Sequence, residues 1–174
     1  VVFGGITYAI LVSIPEHIET TPVLKEKFAP PELSTDVWGV FDVVSGQVLY
    51  GNNIDMVKPI ASITKLFTGE VVMKSPHKND EFIIGLVDTE PYGRAGKLSV
   101  GTETSPYELL YPLLIESSND AAYAIQRTLR EEYEARVAIL TQELELLHTR
   151  IVEPSGLSPL NVSTVRELAR YYVH

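Results

Sequence analysis

Cysteine is absent from the chain, and its absence excludes several classes of function. Without it there is no disulfide framework, no thiolate nucleophile and no thiolate metal site. Positive charge is also scarce, because 14 lysines and arginines stand against 23 acidic residues and leave a net charge of -9. No basic run or basic-aromatic stripe offsets this balance, so a nucleic acid partner is not expected.

Motifs for metals and cofactors are missing as well. The four histidines are never spaced as metal ligands, and no His-Glu-x-x-His occurs. The Gly-Lys pair at 96–97 lacks the preceding glycine and the following hydroxyl of a phosphate-binding loop. We therefore expect neither a metal nor a cofactor.

The length and composition suit one folded domain with other segments before it. A chain of 174 residues with 45% apolar residues can bury a core. Residues 1–13 are uncharged and shorter than the roughly 20 residues that span a bilayer, and they indicate a truncated membrane anchor or signal segment. The alternative is an N-terminal core strand or helix. The prolines at 14–35 predict an extended linker, and the folded domain is expected at 36–174.

Several local patterns predict secondary structure in that domain. Two β-branched and aromatic runs at 37–44 and 47–50 flank Ser45-Gly46 and predict a two-residue hairpin. Short apolar runs at 82–84 and 98–100 are candidates for a second hairpin. Capping boxes begin at Ser105 and Thr164, and helices are predicted at 106–116, 121–130 and 131–147, with a last one after Thr164.

The residues at 59–66 read Pro-Ile-Ala-Ser-Ile-Thr-Lys-Leu and carry a nucleophile beside a candidate base. If a helix begins at Ser62, the side chains of Ser62 and Lys65 share one face, one turn apart. The apolar residues that follow predict that this helix is buried. Burial lowers the pKa of a lysine from about 10.4, and a neutral lysine can accept the proton of a serine. Ser-x-x-Lys also arises by chance, so companion motifs must decide.

Two companion motifs follow in order. Residues 116–122 read Glu-Ser-Ser-Asn-Asp-Ala-Ala, and residues 153–159 read Glu-Pro-Ser-Gly-Leu-Ser-Pro, with Gly-Arg-Ala-Gly at 93–96 before them. Together with residues 59–65 they closely resemble the D-alanyl-D-alanine carboxypeptidases, the low-molecular-mass penicillin-binding proteins related to class A β-lactamases. The resemblance covers about residues 37–173.

The resemblance implies a fold and a domain organisation. The expected fold is α+β, of the β-lactamase and transpeptidase type, with helices flanking an antiparallel sheet and a helical subdomain across the cleft. The family's later strands are not found here, so the hairpin at 37–50 is expected to be a two-stranded ribbon with open edges. Both ends of the chain lack caps, and we expect a fragment of a longer protein that is incomplete at its C-terminus.

The resemblance also implies roles for four side chains. Ser62 would form the acyl-enzyme, and Lys65 would receive its proton. Ser117 would pass the proton to the departing D-alanine, and Asn119 would hold the substrate amide and help to fix Lys65. The alternative for Ser117 and Asn119 is simple capping of the helix that follows.

The family's third signature is missing. No Lys-Thr-Gly or Lys-Ser-Gly occurs in the chain. In the family that strand binds the substrate carboxylate and supplies one oxyanion-hole amide, the other being the backbone N–H of Ser62. Loss of one such donor lowers the rate by about a hundred- to a thousandfold. The chain by itself is therefore expected to be a weak enzyme or inactive.

The function implied is that of a serine-type D-Ala-D-Ala carboxypeptidase of cell wall peptidoglycan. Its substrate would be a peptidoglycan stem peptide ending in D-Ala-D-Ala, and β-lactams would acylate the same serine. One alternative is a β-lactamase, for which Glu153 is the candidate deacylating residue. Another is a non-catalytic wall-binding relative that has lost the third motif. The expected location is the bacterial cell envelope, outside the cytoplasm, with the N-terminal segment anchored in the membrane.

Overall fold

The computed structural model describes residues 8–12, 32–89 and 98–174. The strands are β1 (Tyr8–Val12), β2 (Trp38–Asp42), β3 (Val48–Asn52), β4 (Lys58–Pro59), β5 (Phe82–Ile83), β6 (Glu103–Thr104) and β7 (Val162–Ser163). A 3-10 turn at Ala61–Ile63 precedes the first of the helices α1 (Thr64–Lys74), α2 (Leu86–Thr89), α3 (Leu110–Leu114), α4 (Asn119–Leu129), α5 (Glu131–Glu143) and α6 (Val165–Val173).

The predicted hairpin forms, with a longer turn than the sequence indicated. Strands β2 and β3 are antiparallel, and the N–H of Gly46 donates to the carbonyl of Asp42 at 2.8 Å. Gly46 has φ +70°, a left-handed conformation that glycine adopts without steric penalty. The Asp42 carboxylate accepts from the N–H groups of Val44 and Ser45 at 3.0 and 2.6 Å. The turn is thus held by a buried aspartate.

The expectation of a two-stranded ribbon is wrong, because β1 pairs with β2 in parallel and gives the order β1-β2-β3. Residues 8–12 therefore form the strand that the sequence left as the alternative to an anchor. In the ranges that the structure describes, no helix is long and apolar enough to span a bilayer. An anchor at 1–13, a linker at 14–35 and a domain boundary at 36 stay predictions, and residues 14–31 lie outside the described ranges.

Helix α1 lies at the centre of the packing, and it contacts α3, α4 and α5. Its residues Phe67, Val71 and Val72 are at most 2% exposed, which confirms burial of one face of this helix, whereas Leu66 and Met73 are 44% and 51% exposed. The ring of Phe67 stacks on Tyr171 of α6, with 4.2 Å between the ring centroids. Aromatic pairs at this separation add to the energy of apolar burial. The motif helix is therefore fixed on several sides before any polar contact is considered.

Some element boundaries differ from those predicted. Helix α5 ends at Glu143, and Leu147 is 85% exposed although it falls on the predicted apolar stripe. The capping box at 105–108 forms, because the Ser105 N–H donates to a carboxylate oxygen of Glu108 at 2.9 Å, but α3 begins only at Leu110. Strand β5 pairs with β6 rather than with the run at 98–100.

A two-residue ribbon brings the C-terminal loop to the motif helix. Strands β4 and β7 pair antiparallel, and the N–H of Ile60 donates to the carbonyl of Asn161 at 3.0 Å. This pairing holds the loop at 150–161 beside the 3-10 turn that carries Ser62. The ribbon therefore joins two parts of the chain that are about a hundred residues apart in sequence.

Candidate active site

Ser62 and Lys65 lie on one side of the junction between the 3-10 turn and α1. Ser62 is exposed, whereas Lys65 is only 3% exposed. The Lys65 Nζ lies 3.4 Å from the Ser62 Oγ. A spacing of three residues on a helical segment places two side chains next to each other, as the sequence predicted. An accessible hydroxyl thus stands against a buried amine.

Two acceptors hold the amine from other parts of the chain. The Lys65 Nζ donates to the Asn119 Oδ1 at 2.9 Å and to the Ser155 carbonyl oxygen at 2.7 Å. A neutral amine has two N–H groups and one lone pair, and these two acceptors engage both N–H groups. The lone pair is then left for the Ser62 hydroxyl, which can donate to it. In its neutral form the lysine is therefore oriented to take the Ser62 proton.

The surroundings of Lys65 favour that neutral form. Burial lowers the pKa of Lys65 to about 8, and the nearby negative charge of Glu153 opposes part of this effect. A general base works best when its pKa lies near the working pH. An ordinary exposed lysine is almost entirely charged at neutral pH, so burial gives this amine a chemical capacity that its sequence position alone does not.

The second motif lies at the junction of α3 and α4. Ser118 is the N-cap of α4, because its Oγ accepts from the Ala121 N–H at 3.1 Å. The alternative in which Ser117 and Asn119 merely cap this helix is therefore wrong: Ser118 is the cap, and Asn119 binds Lys65. Ser117 is half-buried and has φ +56°, a conformation uncommon for residues with a side chain. Its role in proton relay stays a prediction.

A buried polar contact joins α1 to the loop at 150–161. The Asn161 Nδ2 donates to the Thr64 Oγ1 at 3.0 Å, and the Thr68 Oγ1 donates to the Pro154 carbonyl at 2.8 Å. Tyr133 lies 2.9 Å from the same Thr68 hydroxyl, and burial raises its pKa. Asn161 is fully buried. Polar groups that are buried and paired in this way fix a loop in one arrangement.

Gly156 brings this loop into backbone contact with the nucleophile. Its φ is +87°, and a Cβ at this position would overlap the carbonyl of Ala61 and lie 2.9 Å from the Ser62 nitrogen. Only glycine permits both the left-handed conformation and the close approach. No site role was expected for Ser155 or Gly156 from the sequence. The signal that could have found them was a glycine set between Pro154 and Pro159 in a turn-forming stretch.

The Glu153 carboxylate is occupied by hydrogen bonds from its own loop. It accepts from the N–H groups of Ser155 and Gly156 and from the Asn161 amide, at 2.8, 2.6 and 2.8 Å. Burial raises the pKa of Glu153, but hydrogen bonds from Ser155, Ser158 and Gly156 outweigh it and hold the pKa below its usual value. This carboxylate is engaged within its own loop, which weakens the β-lactamase alternative.

The described ranges contain no group of three metal-ligating side chains close enough to hold an ion. The Gly-Arg-Ala-Gly stretch at 93–96 lies outside those ranges.

A family model described as D-alanyl-D-alanine carboxypeptidase matches residues 25–174. The chain belongs to this family. Within it, the D-alanyl-D-alanine endopeptidase of Pseudomonas aeruginosa is 35% identical over 174 residues, which are 97% of this chain and 56% of that protein. The D-alanyl-D-alanine endopeptidase of Escherichia coli is 32% identical, over 82% of this chain and 48% of its own. The chain thus spans about half the length of these curated relatives.

Solved structures of the carboxypeptidase family share the fold. The D-alanyl-D-alanine carboxypeptidase from Mycobacterium tuberculosis superposes with a TM-score of 0.77 and 26% identity, over 87% of this chain and 60% of that one. Penicillin binding protein 5 from Haemophilus influenzae superposes with a TM-score of 0.74 and 24% identity, over 84% of this chain and 46% of that one. The predicted α+β, transpeptidase-like fold is confirmed.

Proposed function

We propose that the protein containing this chain is a serine D,D-peptidase of peptidoglycan, with Ser62 as nucleophile and Lys65 as its base. The observation that carries the proposal is the orientation of Lys65. The Lys65 Nζ lies 2.9 and 2.7 Å from the Asn119 and Ser155 oxygens and 3.4 Å from the Ser62 Oγ. A neutral amine that donates to the first two oxygens would turn its lone pair toward the Ser62 hydroxyl. Family membership supports the same assignment.

The proposed reaction has the following steps. Ser62 attacks the carbonyl carbon between two D-alanines of a stem peptide, and its proton passes to the neutral Lys65. The C–N bond then breaks, the leaving amine takes a proton relayed through Ser117, and an ester remains on Ser62. Asn119 holds the amide of the bound peptide while also fixing Lys65. Water hydrolyses the ester and restores the hydroxyl.

The substrate class has two versions. A carboxypeptidase removes the terminal D-alanine of one stem peptide. An endopeptidase cuts the peptide bond that joins a D-alanine of one stem to a second stem in a cross-link. Two of the more similar relatives are named endopeptidases, and one from Mycobacterium tuberculosis at 28% identity is named a carboxypeptidase. Incubation with a pentapeptide ending in D-Ala-D-Ala and with a cross-linked muropeptide dimer, followed by chromatography, would separate the two.

Acylation by a β-lactam is the direct test. The protein of full natural length, labelled with a fluorescent penicillin, should carry one covalent label that the Ser62→Ala variant loses. Equal labelling of both proteins would refute the nucleophile assignment. If neither is labelled but both bind isolated peptidoglycan, the non-catalytic wall-binding alternative would replace the peptidase.

The proposal places the protein in the bacterial cell envelope, on the outer side of the cytoplasmic membrane, because peptidoglycan stem peptides are found there. Attachment through residues 1–13 would require Tyr8–Val12 to leave the sheet that β1 forms with β2, so this part of the proposal is tested separately. Fractionation of cells that express the full-length protein, with and without those residues, would test it. Release of the shortened form into the soluble envelope fraction is the expected result.

A further inference from the structure

The loop at 153–158 is organised around one carboxylate. Among the described residues, six donors reach the two oxygens of Glu153: the N–H and Oγ of Ser155, the N–H groups of Gly156 and Ser158, the Asn161 Nδ2 and the Tyr123 hydroxyl, at 2.6 to 3.2 Å. Carboxylate hydrogen bonds are stronger than those between neutral groups. The path of the backbone through this loop therefore depends on an acceptor at position 153.

That path decides where one partner of Lys65 lies. The Ser155 carbonyl is 2.7 Å from the Lys65 Nζ, two residues after Glu153, and the Gly156 backbone lies against the carbonyl of Ala61. A change in the loop would move the carbonyl away from the amine or press on the residue before Ser62. Reactive groups that are displaced by about 1 Å lose up to a hundredfold in rate.

We propose that Glu153 is a positioning residue for the proton transfer from Ser62: its carboxylate shapes the loop so that the Ser155 carbonyl holds one N–H of Lys65 and turns the lone pair toward the serine. This inference rests on the proposed function. Glu153 itself touches neither the substrate nor the reacting hydroxyl. Its influence passes through the backbone of residues 154–156.

The charge of Glu153 gives the proposal a distinct signature. The negative charge raises the pKa of Lys65 against the effect of burial, so its removal should favour the neutral amine. In Glu153→Gln an NH2 group would replace one of the two oxygens. That group would face the N–H and hydroxyl donors named above, and it cannot accept their hydrogen bonds. The variant should therefore shift the pH midpoint of acylation downward and also lower the rate at high pH.

The test compares Glu153→Gln with Glu153→Asp in the full-length protein. Rates of acylation by a fluorescent penicillin are measured between about pH 6 and about pH 10, and Lys65 is titrated by carbon-13 NMR without any substrate. Glu153→Gln should lower the plateau rate by about ten- to a hundredfold and move both midpoints to lower pH. Glu153→Asp keeps the charge and should retain the wild-type midpoint with part of the plateau.

Glu167→Gln is the matched control, because Glu167 is also a buried carboxylate that orders a neighbouring segment, through His148 and Thr149. It should change stability and leave both midpoints in place. If Glu153→Gln keeps the wild-type rate and midpoint, or behaves as Glu167→Gln does, the proposal is overturned.

The test separates this proposal from the proposed function. If the wild type is not acylated, the peptidase assignment fails, while the NMR titration still reports on Glu153. Should Glu153→Gln not fold, Ser155→Ala serves instead, because it removes one donor to the carboxylate and leaves the carbonyl in place. A several-fold lower plateau is expected from it, and unchanged kinetics would overturn the proposal.

Discussion

The rate of Ser62 acylation should rise with pH through the titration of Lys65. Burial lowers the pKa of Lys65 to about 8. At pH 7 a pKa of about 8 leaves about 9% of the amine neutral, whereas a reference pKa of about 10.4 would leave about 0.04%. The buried position is thus worth about two hundredfold in the fraction of active base. Because the neutral form is the one that accepts a proton, the rate increases as pH rises.

The measurement is the second-order rate constant for a fluorescent penicillin, taken by rapid mixing with the full-length protein. The rate should climb about tenfold per pH unit below about pH 7, reach half its maximum near pH 8 and level off above about pH 9. Lys65→Arg, which stays charged, should show no acylation. Lys74→Arg is the matched control, since Lys74 lies on the same helix but is exposed and paired with Glu70. A pH-independent rate, or a midpoint near 10, would refute the reasoning.

Three further substitutions test the packing around the site, each by urea unfolding. Gly156→Ala should lower the free energy of unfolding by more than about 2 kcal/mol, because the added Cβ would overlap the backbone of Ala61. Gly46→Ala, with open space around it, should lower this free energy by about 1 kcal/mol. Equal losses would contradict the close approach at Gly156. Asp88→Asn, at a buried aspartate paired with the partly exposed Arg127, should lower the free energy of unfolding by about 2 kcal/mol, whereas Asp55→Asn, in an exposed pair, should leave it nearly unchanged. Thr68→Val should lose about 1 to 3 kcal/mol by leaving a buried carbonyl and phenol unpaired, and an unchanged midpoint would argue against this contact.

The local parts of the fold could be predicted because their causes are local. The Ser45-Gly46 turn and the Ser105 capping box depend on neighbours within four residues, and both form. The apolar residues after Ser62 predicted a buried helix for the same reason. Leu147 shows the limit: it continues the apolar spacing of α5, yet the helix ends at Glu143 and leaves it exposed. Spacing alone does not tell where a helix stops.

The contacts that orient the site could not be predicted in this way. Ser155 binds Lys65 across 90 positions of sequence, and it does so through its main chain, which every residue has. No pattern of residue types distinguishes that carbonyl from its neighbours. The sequence likewise did not identify Ser118 as the cap of α4. Capping was expected, if at all, from Ser117 and Asn119, and only the backbone path decides which side chain reaches the Ala121 N–H.

The use of a main-chain oxygen to hold Lys65 bears on how this contact tolerates substitution. Replacing the residue at 155 alters a hydroxyl but cannot delete the oxygen that binds the amine. From the side of the loop, the contact is lost when the polypeptide at 155 moves. Substitutions that shift the backbone should therefore weaken it more than a change of the Ser155 side chain.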